Sequence, residues 1–204
     1  ALSLLATVAF ASVSDTNKSD SNGKKQGKWI KRDAKGKVLY EGSFINDKPT
    51  GEFNYYWDNE KLKALSFYSD NGKICRTKMY FYDGKTLMAE GKYIEQIKDS
   101  IWKFYKEDRS LVSVDNYLSG KKNGICKTFY PNGQASSETN WEKGVEVGIW
   151  KEFYDTGQLK IEKMYVNGLL EGKMKFLNPN GKSHITGSYK KGLAEGLWLY
   201  YNDN

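Results

Sequence analysis

The sequence is poor in the residues that enzyme chemistry usually needs. It holds one histidine, His184, and two cysteines, Cys75 and Cys126, in 204 residues. A lone histidine with no cysteine or aspartate at ligand spacing does not make a metal site, so His184 reads as an ordinary strand residue. No Gly-rich phosphate loop, nucleophile elbow or zinc-binding helix motif occurs. Proline is scarce too, at 3 against 20 glycines, which suits frequent hairpin turns. Leucine and alanine are sparse and no sustained helical period runs through the chain, which argues against a helical fold. The lysines alternate with glutamates and form no basic tract, so nucleic acid is not an expected partner. Nothing in these residues calls for a cofactor or a catalytic site.

What the chain does have is a repeat. Stepping by 24, with one step of 25, links Phe44, Tyr68, Tyr93, Tyr117, Trp141, Tyr165 and Tyr189. An opening position reads Gly27, Gly51, Arg76, Ser100, Gly124, Gly148, Gly172 and Gly196. Two residues further on stand Trp29, Phe53, Lys78, Trp102, Cys126, Trp150, Met174 and Trp198. A third column reads Gly36, Gly84, Gly133, Gly157 and Gly181. Three columns in register over about 170 residues are the signature of tandem supersecondary units.

Each unit reads as a β-hairpin. Residues 149–154 and 158–165 alternate with period 2, and Asp155-Thr156-Gly157 between them is a turn. Pro131-Asn132-Gly133 and Pro179-Asn180-Gly181 fill the same slot. The expected fold is all-β: tandem ~24-residue hairpins forming an elongated, twisted, antiparallel open sheet. Seven units plus a terminal strand over 27–204 would span about 70 Å if flat. Isolated hairpins are marginal in water, so neighbouring units must stack. The expected stacking core is Trp29, Trp102, Trp150, Trp198, Phe44, Tyr68, Tyr93, Tyr117, Trp141, Tyr165 and Tyr189. Among the remaining aromatics, Trp57, Tyr82, Tyr105, Tyr130 and Tyr154 are the candidates for contact with a partner, because flat rings with polar tips suit wet interfaces. Glu41, Glu90, Glu138 and Glu162 form a column on the opposite face and are expected to pair with lysines across strands.

The ends and the irregular units carry their own expectations. Residues 1–11 are apolar, too short to span a bilayer, and close on Ala9-Phe10-Ala11, which reads as a residual signal peptide and implies export to the periplasm, outer envelope or medium. Residues 12–26 are polar and read as a disordered linker. The unit from Arg76 departs most from the pattern and carries an extra residue near 69–75, where a bulge or longer loop is expected. The turn near Arg109 looks shifted. Cys75 reads as a loop thiol and Cys126 as a small buried residue, about 20 Å apart and too far for a disulfide. The last strand, Leu197 to Tyr201, leaves an edge through which the chain could form an oligomer. The net charge of +7 keeps a long sheet soluble or attracts an anionic partner.

The pattern Gly148-x-Trp-x-x-Phe-Tyr-x-x-Gly-x-Leu-x-x-Glu-x-x-Tyr-x-Asn-Gly-x-x-x-Gly172 resembles the MORN repeat, and in particular the bacterial MORN variant grouped with YwqK-family antitoxins. The likeness covers residues 27–201 and is strongest over 124–201. Choline- and glucan-binding wall repeats are similar in composition but differ in unit length and aromatic spacing. The resemblance implies a hairpin array that acts as a scaffold for protein partners or membrane headgroups. The expected function is therefore a non-enzymatic, exported protein-binding or scaffold module. Two alternatives stand beside it. One is an envelope protein that binds anionic lipid headgroups or glycan through aromatics and lysines. The other is an antitoxin-like neutraliser of a protein toxin.

Overall fold

The computed structural model describes residues 15–202, and the signal-peptide reading of residues 1–11 lies outside them. The described residues form one sheet of nineteen strands. In chain order these are β1 (Lys18–Ser19), β2 (Lys25–Arg32), β3 (Val38–Ile45), β4 (Lys48–Tyr56), β5 (Leu62–Ser69), β6 (Ile74–Tyr80), β7 (Leu87–Ile94), β8 (Ile97–Tyr105), β9 (Leu111–Leu118) and β10 (Lys121–Lys122). There follow β11 (Gly124–Phe129), β12 (Ala135–Glu142), β13 (Val145–Glu146), β14 (Gly148–Phe153), β15 (Leu159–Val166), β16 (Leu169–Leu170), β17 (Gly172–Leu177), β18 (Ser183–Lys190) and β19 (Leu193–Tyr200). The seven repeat hairpins are β2/β3, β4/β5, β6/β7, β8/β9, β11/β12, β14/β15 and β17/β18, and β19 follows them. Each hairpin pairs antiparallel with the next, so the array is open and every contact is between sequence neighbours.

Two backbone devices set the register. Most units are linked by two-residue turns whose residues both have positive φ, as in Asn167-Gly168 at 51° and 80°. Such turns match the right-handed twist of the strands they join. The opening position of most units is a bulge in the left-handed region, at φ 66° in Gly51. Ser100 is held there as well, at φ 60°. Arg76 is the exception. Strands β5 and β6 run in continuous register from Ala64 opposite Met79 to Ser69 opposite Ile74, joined by a four-residue loop. With no bulge there, no glycine is required, which accounts for the missing opening glycine and the extra residue together.

Three expectations change on this geometry. The linker expected over 12–26 is, in its described part, a small hairpin in which β1 pairs with β2. Asn17 finishes that edge: its side-chain amide donates to the Ile30 carbonyl at 3.1 Å, and its oxygen accepts from the Ile30 N–H at 2.7 Å. Cys75 is not a loop thiol. The straight register of β6 begins early enough to place it in the strand, buried between Tyr68 and Tyr93. The turn at Arg109 is not shifted either. Arg109 takes φ 69° in the slot that Gly133 fills at 84°, and its N–H bonds the Lys106 carbonyl as Gly133 bonds Tyr130.

The sheet is a single layer, so its core is local. Buried residues among those described lie between Gly42 and Cys126. Of the eleven residues expected to stack as core, Phe44 and Trp102 are buried and the other nine are half-buried. Among the described residues nothing packs over the sheet, and a ring is covered by its neighbours alone. Three rings, Phe53, Trp102 and Trp198, lie on glycines of the adjacent strand. A Cβ on Gly42 would fall 2.4 Å from the Phe53 ring, one on Gly91 2.3 Å from Trp102, and one on Gly187 2.3 Å from Trp198. Where the ring is absent the neighbour grows: Thr77 faces Ser66, and their buried hydroxyls share a 2.8 Å hydrogen bond. Overpacking a fitted site costs about 1–3 kcal/mol. Gly91→Ala should lower stability by that order in urea unfolding, and the loss should disappear in a Trp102→Ala background. An undiminished loss in that background would refute the ring-on-glycine account.

Candidate functional site

The two faces of the sheet differ in chemistry because side chains alternate along each strand. One face carries the rings. Trp102 is fully buried there, donating from its indole nitrogen to the Lys92 carbonyl at 3.0 Å and meeting Tyr93 edge to face at 4.8 Å. The Lys98 ammonium lies 4.6 Å from the Trp102 ring and 4.8 Å from Phe104. Burial holds the Lys98 amine below the usual lysine range. Asp115, also buried, is bonded by Lys122 at 3.1 Å.

The opposite face carries a ladder of charge. Cross-strand register places Lys78 opposite Glu90 and Glu90 opposite Lys103. After Val114 the row continues through Lys127, Glu138, Lys151, Glu162 and Lys175. Ion pairs form at 3.8 Å for Lys103–Glu90, 2.6 Å for Lys127–Glu138 and 3.6 Å for Lys175–Glu162. Glu41 instead accepts from the Tyr56 hydroxyl at 2.6 Å. The glutamate column expected from the sequence is thus engaged in pairing at each of its four positions. Partly exposed pairs of this kind are worth a few tenths of a kcal/mol each, and their alternation keeps an open face from carrying one sign of charge.

The five aromatics expected to meet a partner each make a hydrogen bond within the array. The Trp57 indole donates to the Phe81 carbonyl at 3.1 Å, the Tyr130 hydroxyl to the Phe153 carbonyl at 2.8 Å, and the Tyr154 hydroxyl to the Leu177 carbonyl at 2.8 Å. Each bond reaches one unit ahead and ties successive turns together. Tyr82 bonds Asp58 at 2.6 Å, and Tyr105 bonds Glu90 at 2.9 Å. Only Tyr82 of the five is more than half exposed, at 55%. A polar tip that suits a wet interface also suits an orphan turn carbonyl, and sequence alone does not separate the two uses.

The site that the structure does bring together lies on the ladder face, across β4 to β8. A groove of about 760 Å³ opens there, within the size range of ligand sites. Its apolar residues are Leu65, Phe67 and Ile101, with Phe67 55% and Ile101 54% exposed. Arg76 and Lys78 project from the middle strand, and both are exposed. Neither makes an ion pair among the described residues, whereas Lys92 pairs with Asp99 at 3.6 Å and Lys103 with Glu90. Arg76 stands directly opposite Lys92 in register. These residues were not singled out as contacts from the sequence. The available signal was the irregularity of the unit that begins at Arg76, which supplies the groove's middle strands.

Both cysteines are free and buried, and burial pushes each thiol above its ordinary range. His184 lies in β18 with its ring edge-on to Phe176 at 5.3 Å.

The family model described as MORN repeat variant matches residues 122–143, 146–167 and 170–191. The three matches are consecutive and lie within residues 122–191. The matched windows fall on the regular units, each with a bulge glycine and a two-residue linking turn. The units of the groove lie outside the matched residues. No curated protein matches the chain. Among solved structures, a mutant TarM of S. aureus, in complex with Fondaparinux, alpha-GlcNAc-glycerol and UDP, aligns at 15% identity over 48% of this chain and 19% of that one, with a TM-score of 0.35. The chain therefore spans well under two thirds of that protein.

The tyrosine–glutamate pairs set a pH response. Burial, and then the hydrogen bond to a glutamate, push Tyr56 and Tyr105 up to about 12. A tyrosine whose folded value exceeds its ordinary 10 contributes stability that is complete below about pH 10 and is lost as pH rises through about 12. The urea midpoint should therefore fall between pH 10 and 12, and less steeply in the Tyr56→Phe/Tyr105→Phe double variant, which keeps every lysine. Parallel curves for the two proteins would show that the pairs contribute nothing.

Proposed function

We propose that this chain is a non-enzymatic, exported scaffold module that binds protein through the ladder face of its sheet. The observation that carries this reading is the groove across β4 to β8, where apolar side chains stand exposed beside cations without partners. Further along the ladder Lys127 pairs with Glu138 and Lys175 with Glu162, while Ile125, Ile149 and Met164 stand exposed in the adjacent row. The MORN-variant matches within 122–191 support the module reading, because repeats of this kind mediate protein or membrane contacts. The non-enzymatic reading rests on how the candidate groups are used: the column glutamates are paired, and the turn aromatics hold the turns. The apolar stretch closing on Ala9-Phe10-Ala11 supports export. An antitoxin-like neutraliser is one form that protein binding could take. Lipid or glycan binding is the competing class, favoured by the net charge of +7.

The test is a retention assay on the immobilised full chain with envelope and cytoplasmic fractions. Wild type should retain a protein that Phe67→Glu/Ile101→Glu loses and that Met164→Glu, on the same face but outside the groove, keeps. Equal retention by all three would overturn the groove as the binding site. Co-sedimentation with anionic vesicles or polysaccharide, without a retained protein, would transfer the function to the competing class.

A further inference from the structure

The groove has an electrostatic peculiarity that the rest of the face lacks. Along the charge ladder each of Glu90, Glu138 and Glu162 is flanked by lysine in register, and most cations have an acidic neighbour. In the adjacent row the neighbours of Arg76 are Phe67 on one side and Lys92 on the other. Elsewhere in this row no two cations stand opposite: Ile101 faces Asn116, Ile125 faces Asn140 and Lys173 faces Ser188. Like charges directly opposite on neighbouring strands are destabilising. The carboxylates of that row are Glu52, beyond Phe67, and Asp99, which faces Lys92 and pairs with it at 3.6 Å, so that Arg76 is the cation left without a carboxylate beside it. This departure from the pattern falls where the glycine bulge is also absent and the strand runs straight. Natural sequences break their own rules in this way chiefly at functional positions.

From this, and resting on the protein-binding reading above, we infer that the groove receives an extended acidic peptide segment with aliphatic anchors. Its aliphatic side chains cover Leu65, Phe67 and Ile101, and its carboxylates meet Arg76 and Lys78. The guanidinium of Arg76 can hold a carboxylate by two parallel bonds, which a lysine cannot. An anion between Arg76 and Lys92 also relieves their repulsion. Five strands span about 19 Å, so a segment lying across them contacts the groove over about six residues at roughly 3.3 Å each. Burial of the anchors supplies affinity, and the unpaired cations select the sign of the partner.

The test uses the full chain and three labelled eight-residue peptides in fluorescence anisotropy, repeating Glu-Glu-Leu-Leu, Lys-Lys-Leu-Leu and Glu-Glu-Ser-Ser, so that each face of the extended chain carries both residue types. The Glu–Leu peptide should bind, at least about tenfold more tightly than either control. Arg76→Glu and Lys78→Glu should each weaken it at least about tenfold, and added salt should weaken it further. Circular dichroism of the variants checks that the sheet survives, and Arg76→Lys, which keeps the charge, should bind more weakly than wild type but more tightly than Arg76→Glu. Equal binding of the Lys–Leu peptide, or indifference to Arg76→Glu in a folded variant, would overturn the proposal. Anionic vesicles are the remaining arm: Arg76-dependent vesicle binding without peptide binding would overturn it in favour of a membrane. If no peptide binds while Phe67→Glu/Ile101→Glu still abolishes protein retention, the acidic partner is wrong and the protein-binding groove stands. If that double variant also has no effect on retention, both fail.

Discussion

A single-layer sheet has no second layer to hide behind, and the rest of this structure follows from that constraint. Packed folds bury a sheet face against another sheet or a helix. Here each side chain can be covered only by residues on its own or neighbouring strands. The chain meets the problem differently on its two sides. On one, large rings lie flat over glycines, as Trp102 does over Gly91 and Phe53 over Gly42. Lysine stems and ammonium groups then close over the rings, as Lys98 does over Trp102 and Lys163 over Trp150. On the other side, lysine and glutamate alternate across the strands, so that the exposed face is polar without being strongly of one sign. The edges receive separate treatment, and the Asn17 side chain occupies the hydrogen-bonding positions that Ile30 would otherwise present.

The same constraint explains where function can reside. Most polar tips on the array are needed to hold it together. Tyr130 and Tyr154 satisfy carbonyls of the next unit, and Glu138 and Glu162 are fixed between lysines. A repeat unit with all of its groups committed offers little to a partner beyond shape. The unit that begins at Arg76 is different because it gave up the bulge. Its straight strand carries a small hydroxyl, Thr77, on the ring side and, on the ladder side, Arg76 and Lys78, which form no ion pair among the described residues. Departure from the repeat, the exposed apolar pair Phe67 and Ile101, and the groove coincide on the same strands.

Much of the fold was legible in the sequence, because hairpin periodicity and turn chemistry are local. The spacing of Tyr165 and Tyr189, or of Gly133 and Gly157, follows directly from the geometry of one unit. The longer loop near 69–75 was legible for the same reason. Burial was not, since it depends on what lies on the neighbouring strand. Trp150 and Trp102 occupy the same column, yet Trp102 is buried over Gly91 while Trp150 is half-buried beside Thr139 and Lys163. Cys75 was misplaced because its strand start depends on the missing bulge, and Arg109 because a non-glycine residue can take the left-handed slot. For the site, the irregular unit was visible in sequence. The groove was not, because Phe67, Arg76 and Ile101 belong to different hairpins and meet only through register.

If neighbours alone cover each side chain, stability must vary along the array, and it must be highest where the buried residues lie. Nearest-neighbour repeat arrays open locally, without unfolding as a whole. Native-state hydrogen exchange on the full chain measures this directly. The slowest amides should fall in β4 to β9, around Phe53, Thr77 and Trp102, with protection declining through β14 to β19, so that the groove stands on the most stable part of the sheet. Uniform protection across the array, or the slowest exchange in β14 to β18, would contradict the account.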